Sequence, residues 1–405
     1  MQKPIYLDYN ATTPTDPRVV AAMLPYFTDH FGNPANTLNA YGWSAENAVK
    51  KAAEQVAHLI GCKPAELTWN AGATEGNNSV IFGLIRKLKK ENQKEPIHLI
   101  TSNAEHWSVL NSFKAAEEFE NIETTYIPTN ADGIVTAPEL KKHVRPNTRL
   151  VSLIWVNNEI GSINPVEELA AFCQAQKIYF HTDATQAVGK IAVNLQNSNI
   201  HFLTFSAHKF YGPKGVGILY MRGHNPAVEI EPFILGGGQQ NGRRSGTLNV
   251  PAIVGAGFAA SICEKEMLED SRRTSELCAK LFSKLGEKIP TLQLNGPPLN
   301  HRSPINLSLI MPVSIDLVLP ALAGLAFSQG SACHTGETSS SHVLAAIGRT
   351  VSEAQRTIRL SLGRWTTPSE IDEAVRLIFN AFQPFLTATA PIKKNDEPPY
   401  QNQKN

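Results

Sequence analysis

The sequence predicts an α/β protein, with a mostly parallel sheet covered by helices on both faces and then a smaller α+β lobe. Three observations carry this. Short apolar, β-branched runs alternate with helical stretches of roughly ten residues or more, the rhythm of right-handed βαβ crossovers. Thr74, His106, Asn158, Asp183 and Lys209 each stand just past such a run, where sites lie in open α/β sheets. The helix-rich stretch Pro251 to Ile289 then separates this pattern from a second, shorter one, as at a crossover between domains.

Taken in order, Tyr6-Leu7-Asp8-Tyr9-Asn10-Ala11-Thr12-Thr13-Pro14 reads as a short strand entering a turn, and Gly32-Asn33-Pro34 as a loop. Ser44 is expected to cap a helix in which Ala45, Val49, Ala52, Val56, Leu59 and Ile60 recur at helical spacing until Gly61 ends it. Strand 66–69 leads through Asn70-Ala71-Gly72-Ala73-Thr74 into a helix start. That geometry aims backbone N–H groups at an anion, although a plain tight turn has the same sequence. Strands 98–101, 123–127 and 149–156 alternate with helices 107–119 and 166–176, and strand 178–182 ends at Asp183. Phe202-Leu203-Thr204-Phe205 is a buried strand that Ser206-Ala207-His208-Lys209 interrupts. The Gly/Pro-rich run from Tyr211 to Gly217 then turns the chain into strand 218–221. In the smaller lobe strand 305–310, helix 315–325, a loop around Cys333, strand 357–361 and helix 368–382 are expected. The polar, proline-bearing tail 391–405 has the composition of a disordered segment.

With 405 residues the chain exceeds one ordinary core, and two lobes are expected. A net charge of +1 without a long basic run argues against nucleic acid or a membrane surface as partner. No stretch approaches the roughly 18 apolar residues of a membrane span, and Met1-Gln2-Lys3-Pro4 runs into a strand rather than a signal-peptide core. The 5 cysteines are scattered and form no CxxC pair, which fits neither a disulfide framework nor a zinc site and predicts a reducing, cytoplasmic setting. Cys62, Cys173, Cys263 and Cys278 sit in or beside apolar helical patterns, as small buried hydrophobes do. Cys333 does not.

Lys209 follows a buried strand among small and hydroxyl residues. An amine there loses hydration and becomes a nucleophile, as the tethering lysine of a pyridoxal phosphate (PLP) enzyme requires; a lysine snorkelling at a strand end is the competing reading. PLP also needs a carboxylate against its pyridine nitrogen. Asp183, buried before Ala184-Thr185-Gln186, fits that need, and also fits a cap on the following turn. His106, in Glu105-His106-Trp107, suits a stacked ring or a structural helix start.

These residues belong to a series of motifs: YLDYNATTP, FGNPAN, GATEGNN, AEHWSVL, VNNEIGSINPV, HTDATQAVGK, SAHKFYGPKGVG, GGGQQNGRRSGT, GSACHTGE and IRLSLGRWTT. In this order, from Tyr6 to about Ile378, the chain resembles the cysteine desulfurases, PLP enzymes of the class V aminotransferase group that supply sulfur for iron–sulfur clusters and thio-cofactors. The resemblance implies fold type I, with a mostly parallel seven-stranded sheet. It implies a large PLP-binding domain at 16–260 and a small domain formed by 1–15 and 261–390. It also implies roles: Lys209 tethers the cofactor and moves the Cα proton, and His106 stacks on the ring opposite Ala184. Asp183 holds the ring nitrogen, while Gln186 and Asn158 reach its oxygen side. Ala73, Thr74, Ser206 and His208 bind the phosphate. Thr247 reaches the phosphate of a neighbouring subunit, so a homodimer is implied. Arg359 clamps the substrate carboxylate in bidentate fashion.

Cys333 lies in a stretch of small polar residues without apolar periodicity, the composition of an exposed loop, where a thiol is accessible and reactive. By resemblance it takes sulfur from L-cysteine as a persulfide, releases alanine and passes the sulfur to an acceptor or scaffold protein. A selenocysteine lyase shares nearly all these residues, and a non-catalytic sulfur-relay or scaffold protein is the rival from another class. The chain departs from the family at Asn39, usually histidine, at Gln240, usually acidic, and at Ser340, often proline. Its tail does not resemble the segment with which housekeeping members dock a scaffold.

Overall fold

The computed structural model describes residues 3–91, 96–224, 227–329 and 341–386. Cys333, Ser340 and the tail 391–405 lie outside the described residues. The chain opens with β1 (Ile5–Tyr6), α1 (Pro17–Met23), α2 (Pro25–Thr28) and α3 (Ala40–Ile60). It then alternates through β2 (Leu67–Asn70), α4 (Ala73–Lys90), β3 (His98–Ser102), α5 (Trp107–Glu120) and β4 (Glu123–Ile127). Next come α6 (Ala137–His143), β5 (Thr148–Ser152), α7 (Val166–Ala175), β6 (Tyr179–Asp183), β7 (Phe202–Ser206) and β8 (Gly217–Met221). After α8 (Val250–Lys288) follow β9 (Gln293–Leu294), β10 (Asn306–Ile310), β11 (Leu325–Ala326) and β12 (Ser328–Gln329). α9 (His342–Ala346), α10 (Val351–Gln355), β13 (Thr357–Ser361) and α11 (Pro368–Leu386) complete it.

The expected seven-stranded sheet has the order β2-β8-β7-β6-β5-β3-β4. Only β8 runs against its neighbours. Every residue of β3 and β7 is buried, as befits central strands covered on both faces. Because β2 and β7 are both antiparallel to β8, their carboxyl ends share one rim with those of β3, β5 and β6. A smaller antiparallel sheet, β12-β13-β10-β9, stands beyond α8.

α8 is one helix of 39 residues, about 58 Å long at 1.5 Å per residue. Its first part, through Ile253, Ala256, Ala260 and Cys263, packs into the core of the large sheet. Its second, through Leu277, Leu281 and Leu285, packs into a separate core with Leu307, Leu360 and Ile378. The amino-terminal segment returns to that second core through Leu7.

Several expected elements are corrected. α3 begins ahead of Ser44, because Asn39 in extended conformation accepts the Gly42 N–H at 3.0 Å and caps the helix there. The departure from histidine at this position thus places a strong N-cap. The helix expected over 315–325 is two 3₁₀ turns, Ile315–Leu317 and Leu319–Leu322, since Pro320 withholds the N–H that a continuous helix needs. The apolar run after β5 leaves the sheet at Ser152, although Leu153 and Trp155 still donate to the carbonyls of His181 and Asp183. Cys173, Cys263 and Cys278 are buried as expected, whereas Cys62 is half-buried.

Candidate active site

A cavity of about 380 Å³ opens on the carboxyl rim of the sheet, within the size range of small-molecule sites. Lys209 enters it from a 3₁₀ turn directly after β7. The amino-terminal segment, remote in sequence, holds that turn. Thr13 donates through both N–H and Oγ1 to the His208 carbonyl, at 3.0 Å each, and the Tyr211 N–H donates to Thr13 Oγ1 at 2.9 Å. Lys209 Nζ donates to the carbonyls of Asn10 and Ala11, both at 2.7 Å. Burial, helped by the Arg359 cation and opposed by Asp183 and Asp8, brings its pKa down to about 8, where a fraction of the amine is nucleophilic near neutrality.

Asp183 ends β6 and is 3 % exposed. Its Oδ1 accepts the Thr185 N–H at 3.0 Å and its Oδ2 accepts Asn77 Nδ2 at 2.9 Å. Among the described residues no cation forms an ion pair with it, so a buried carboxylate held by two N–H donors lines the cavity. Asn77 is fully buried and its amide can point only one way. Thr204 Oγ1 donates to its Oδ1, so Nδ2 turns to Asp183 and, at 2.8 Å, to Ser108 Oγ. Ser108 is in turn paired with His106 Nδ1 at 2.8 Å, and its N–H donates to the same nitrogen at 3.1 Å. One buried amide therefore orients both the carboxylate and the imidazole.

The turn before α4 makes the third wall. Gly72 is the N-cap, at φ 155°, a conformation that favours glycine, and it offers no side chain to the first-turn N–H groups. The Ala73 N–H donates to Ser206 Oγ at 2.7 Å. A Cβ on Gly76 would come within 2.8 Å of Thr204 Cγ2, so glycine lets α4 lie close on β7. Arg244, from the loop before α8, braces this turn by pairing with Glu75 at 2.8 Å. Thr12 Oγ1 pairs with His208 Nδ1 at 3.0 Å, and burial brings the His208 pKa down to about 4, leaving the ring neutral.

Arg359, on β13, reaches the cavity from the other side. Its Nη1 donates to the Asn158 carbonyl at 3.0 Å, and its Nη2 donates to Asp8 Oδ1 at 2.8 Å and Ser328 Oγ at 2.7 Å. Among the described residues its Nε is buried without a hydrogen-bond partner.

The cavity thus gathers Ala73, Thr74, His106, Asn158, Asp183, Gln186, Ser206, His208, Lys209 and Arg359 on one lining. Thr247 is exposed and stands outside it, and Cys333 lies outside the described residues. Ala184, expected opposite His106, is fully buried, while Ile154 and Thr185 face the cavity. Sequence reasoning missed Asn77, whose signal was a polar residue on the buried face of an amphipathic helix, and Asn10, whose backbone carbonyl leaves no sequence trace. It also missed Glu105, fully buried beside His106, which accepts from Ser102 Oγ at 2.6 Å and which burial pushes up to about 8.

These features fit PLP. Asp183 could partner a pyridinium, the glycine-capped start of α4 with Ser206 could receive a phosphate, and Lys209 offers a nucleophilic amine on the same lining.

Residues 5–374 match the family model for Aminotransferase class-V. The chain is 44 % identical over 377 residues to the mitochondrial cysteine desulfurase of Arthroderma benhamiae, covering 93 % of this chain and 74 % of that protein. It is 43 % identical to human cysteine desulfurase, covering 92 % and 80 %, and 43 % identical to cysteine desulfurase IscS of Rickettsia typhi, covering 93 % and 90 %. Among solved structures, a NifS-like protein superposes with a TM-score of 0.86 at 34 % identity, covering 95 % of this chain and 100 % of that one. SspA in complex with cysteine superposes with a TM-score of 0.79 at 35 % identity, covering 90 % and 100 %. The chain belongs to the class-V aminotransferase family and, within it, to the cysteine desulfurases.

Proposed function

We propose that this protein is a PLP-dependent enzyme that converts L-cysteine to L-alanine and delivers the sulfur, through a persulfide on Cys333, to an acceptor in iron–sulfur cluster or thio-cofactor assembly. The observation that carries this reading is the buried carboxylate of Asp183, without an ion-pair partner among the described residues, on the same cavity lining as the depressed amine of Lys209. That one of the similar solved structures is a complex with cysteine supports the choice of substrate.

When bound, PLP supplies an electron sink that acidifies the Cα–H of an attached amino acid and weakens its C–S bond. The chain supplies the rest. Lys209 holds the cofactor and carries the Cα proton on Nζ. Asp183 keeps the ring nitrogen charged, and Asn77 fixes its direction. Arg359 holds the substrate carboxylate, with Asn158 as its support. The Cys333 thiolate attacks the substrate sulfur; the C–S bond breaks, an S–S bond forms, and the carbon left behind is protonated to give alanine.

Mass spectrometry after incubation with L-cysteine tests the reading. One added sulfur atom on the Cys333 peptide, absent in Cys333→Ser, is expected together with alanine. Sulfur on another cysteine, or alanine from selenocysteine alone, overturns it.

The same reading includes a homodimer, a division into lobes 16–260 and 1–15 with 261–390, and a cytoplasmic setting. Phe27, Phe31, Leu38 and Trp43 are exposed beside the amino-terminal helices. The loops 33–35 and 239–248 line one groove next to Thr247, which supports a partner there. Among the described residues no helix is long and apolar enough to cross a membrane, and the relatives include mitochondrial forms. Light scattering of the purified protein checks the dimer: a monomer at micromolar concentration rejects it.

A further inference from the structure

Phe210 and Tyr211, the two residues after Lys209, point into different parts of the molecule. Phe210 is fully buried in the core of the large sheet, where it packs on Phe205. Tyr211 is also buried, but packs with Tyr9 and with Ile305, the residue before β10 of the smaller sheet. Its φ of 68° lies in the left-handed region, which strains a bulky residue. Glycine takes that angle freely but has no side chain to cross the gap.

What the side chain reaches is the exit of β13, the strand that carries Arg359. Tyr211 Oη accepts the Arg364 N–H at 2.7 Å. Its ring lies 4.3 Å from the carbon of the Arg364 guanidinium and meets Trp365 edge-on at 5.2 Å. The backbone of Tyr211 is pinned from the opposite side, its N–H to Thr13 Oγ1 at 2.9 Å and its carbonyl to the Asp16 N–H at 3.0 Å. Asn158 thus holds the tip of Arg359, and Tyr211 holds the foot of its strand. Lys209 and Arg359 line one cavity and must meet the two ends of one amino acid, its nitrogen and its carboxylate. We propose that Tyr211 is a positioning residue that sets the span between the Lys209 amine and the Arg359 guanidinium. The inference rests on the proposed roles of those two residues as tether and clamp.

The test loads wild type and Tyr211→Phe with PLP and follows the visible absorption of the bound cofactor. It is titrated with L-alanine, the product, and with ethylamine, the same amine without its carboxylate. Half-saturation with L-alanine is expected to rise by about fivefold in Tyr211→Phe, as for one net hydrogen bond, while that with ethylamine stays within about twofold. A rise below about twofold with L-alanine, or an equal rise with ethylamine, overturns the inference, since an equal rise places the disturbance at the tether alone. Tyr211→Gly, which relieves the backbone angle, replaces Tyr211→Phe if that variant fails to accumulate and is read in the same way. A wild type that retains no cofactor on Lys209 after borohydride reduction defeats the tether, and one that takes L-alanine no more tightly than ethylamine defeats the clamp. Either result removes the inference along with the role it rests on.

Discussion

Arg359 and Asp8, at opposite ends of the chain, form an ion pair of 2.8 Å at the edge of the cavity, and Ser328 Oγ touches both. If Arg359 clamps the substrate carboxylate as proposed, that carboxylate competes with Asp8 for the guanidinium. Asp8→Asn keeps an acceptor for Arg359 and Ser328 but removes the competing charge. The KM for L-cysteine is expected to fall by about threefold, with kcat little changed, as for the loss of a partly exposed repulsion. A rise in KM shows instead that the charge of Asp8 orients the clamp.

Lys209 makes stability depend on pH. In the cofactor-free fold its pKa is about 8, below the roughly 10.4 of an unfolded chain. Between these values the unfolded state binds more protons, so stability rises with pH; below about 8 the cost of a charged buried amine is fully present. Lys209→Met without cofactor is expected to melt about 2 °C or more above wild type at pH 7. Calorimetry from pH 7 to 10 should show that difference shrinking.

Asp183→Asn removes the carboxylate from the cavity while leaving an amide of the same shape. Alanine formation is expected to drop by roughly 10²–10³, the scale of losing a preorganised charge at the reacting system, with cofactor still bound. Stopped-flow assays alongside absorption spectra check it. An activity within tenfold of wild type shows that the ring nitrogen needs no counter-charge here.

Gln240 has a role that the usual acidic residue at its position does not fill in this geometry. Its Oε1 accepts the Trp69 N–H at 2.7 Å and its Nε2 donates to the Trp69 carbonyl at 2.9 Å, so the amide pairs with edge strand β2 as another strand would. A carboxylate reproduces the first bond and repels at the second. Gln240→Glu is expected to cost about 1–2 kcal/mol in urea unfolding, without a change in cofactor affinity.

The alternation of apolar runs with amphipathic stretches was enough to place the sheet, because period-2 and period-3.6 patterns are local. Lys209, Asp183 and the turn at Gly72 were legible for the same reason: each breaks an apolar run at a strand end. Helix starts were less so. Asn39 and Ser44 are both good caps, and the helix starts at the earlier one, where Gly42 lies against the carbonyls of Asn33 and Asn36, contacts that only the folded chain makes. The stretch 315–325 kept a helical spacing that Pro320 overruled.

Local pattern alone thus settled the class of fold, the rim on which chemistry occurs and the residue types on it. Only the folded chain decided which partners orient them: Thr13 under the lysine turn, Asn77 between Asp183 and His106, and Asp8 on Arg359. The reason is physical. Burial and periodicity are encoded over a few neighbouring residues, whereas a hydrogen bond between residues distant along the chain exists only after the sheet has brought them within 3 Å.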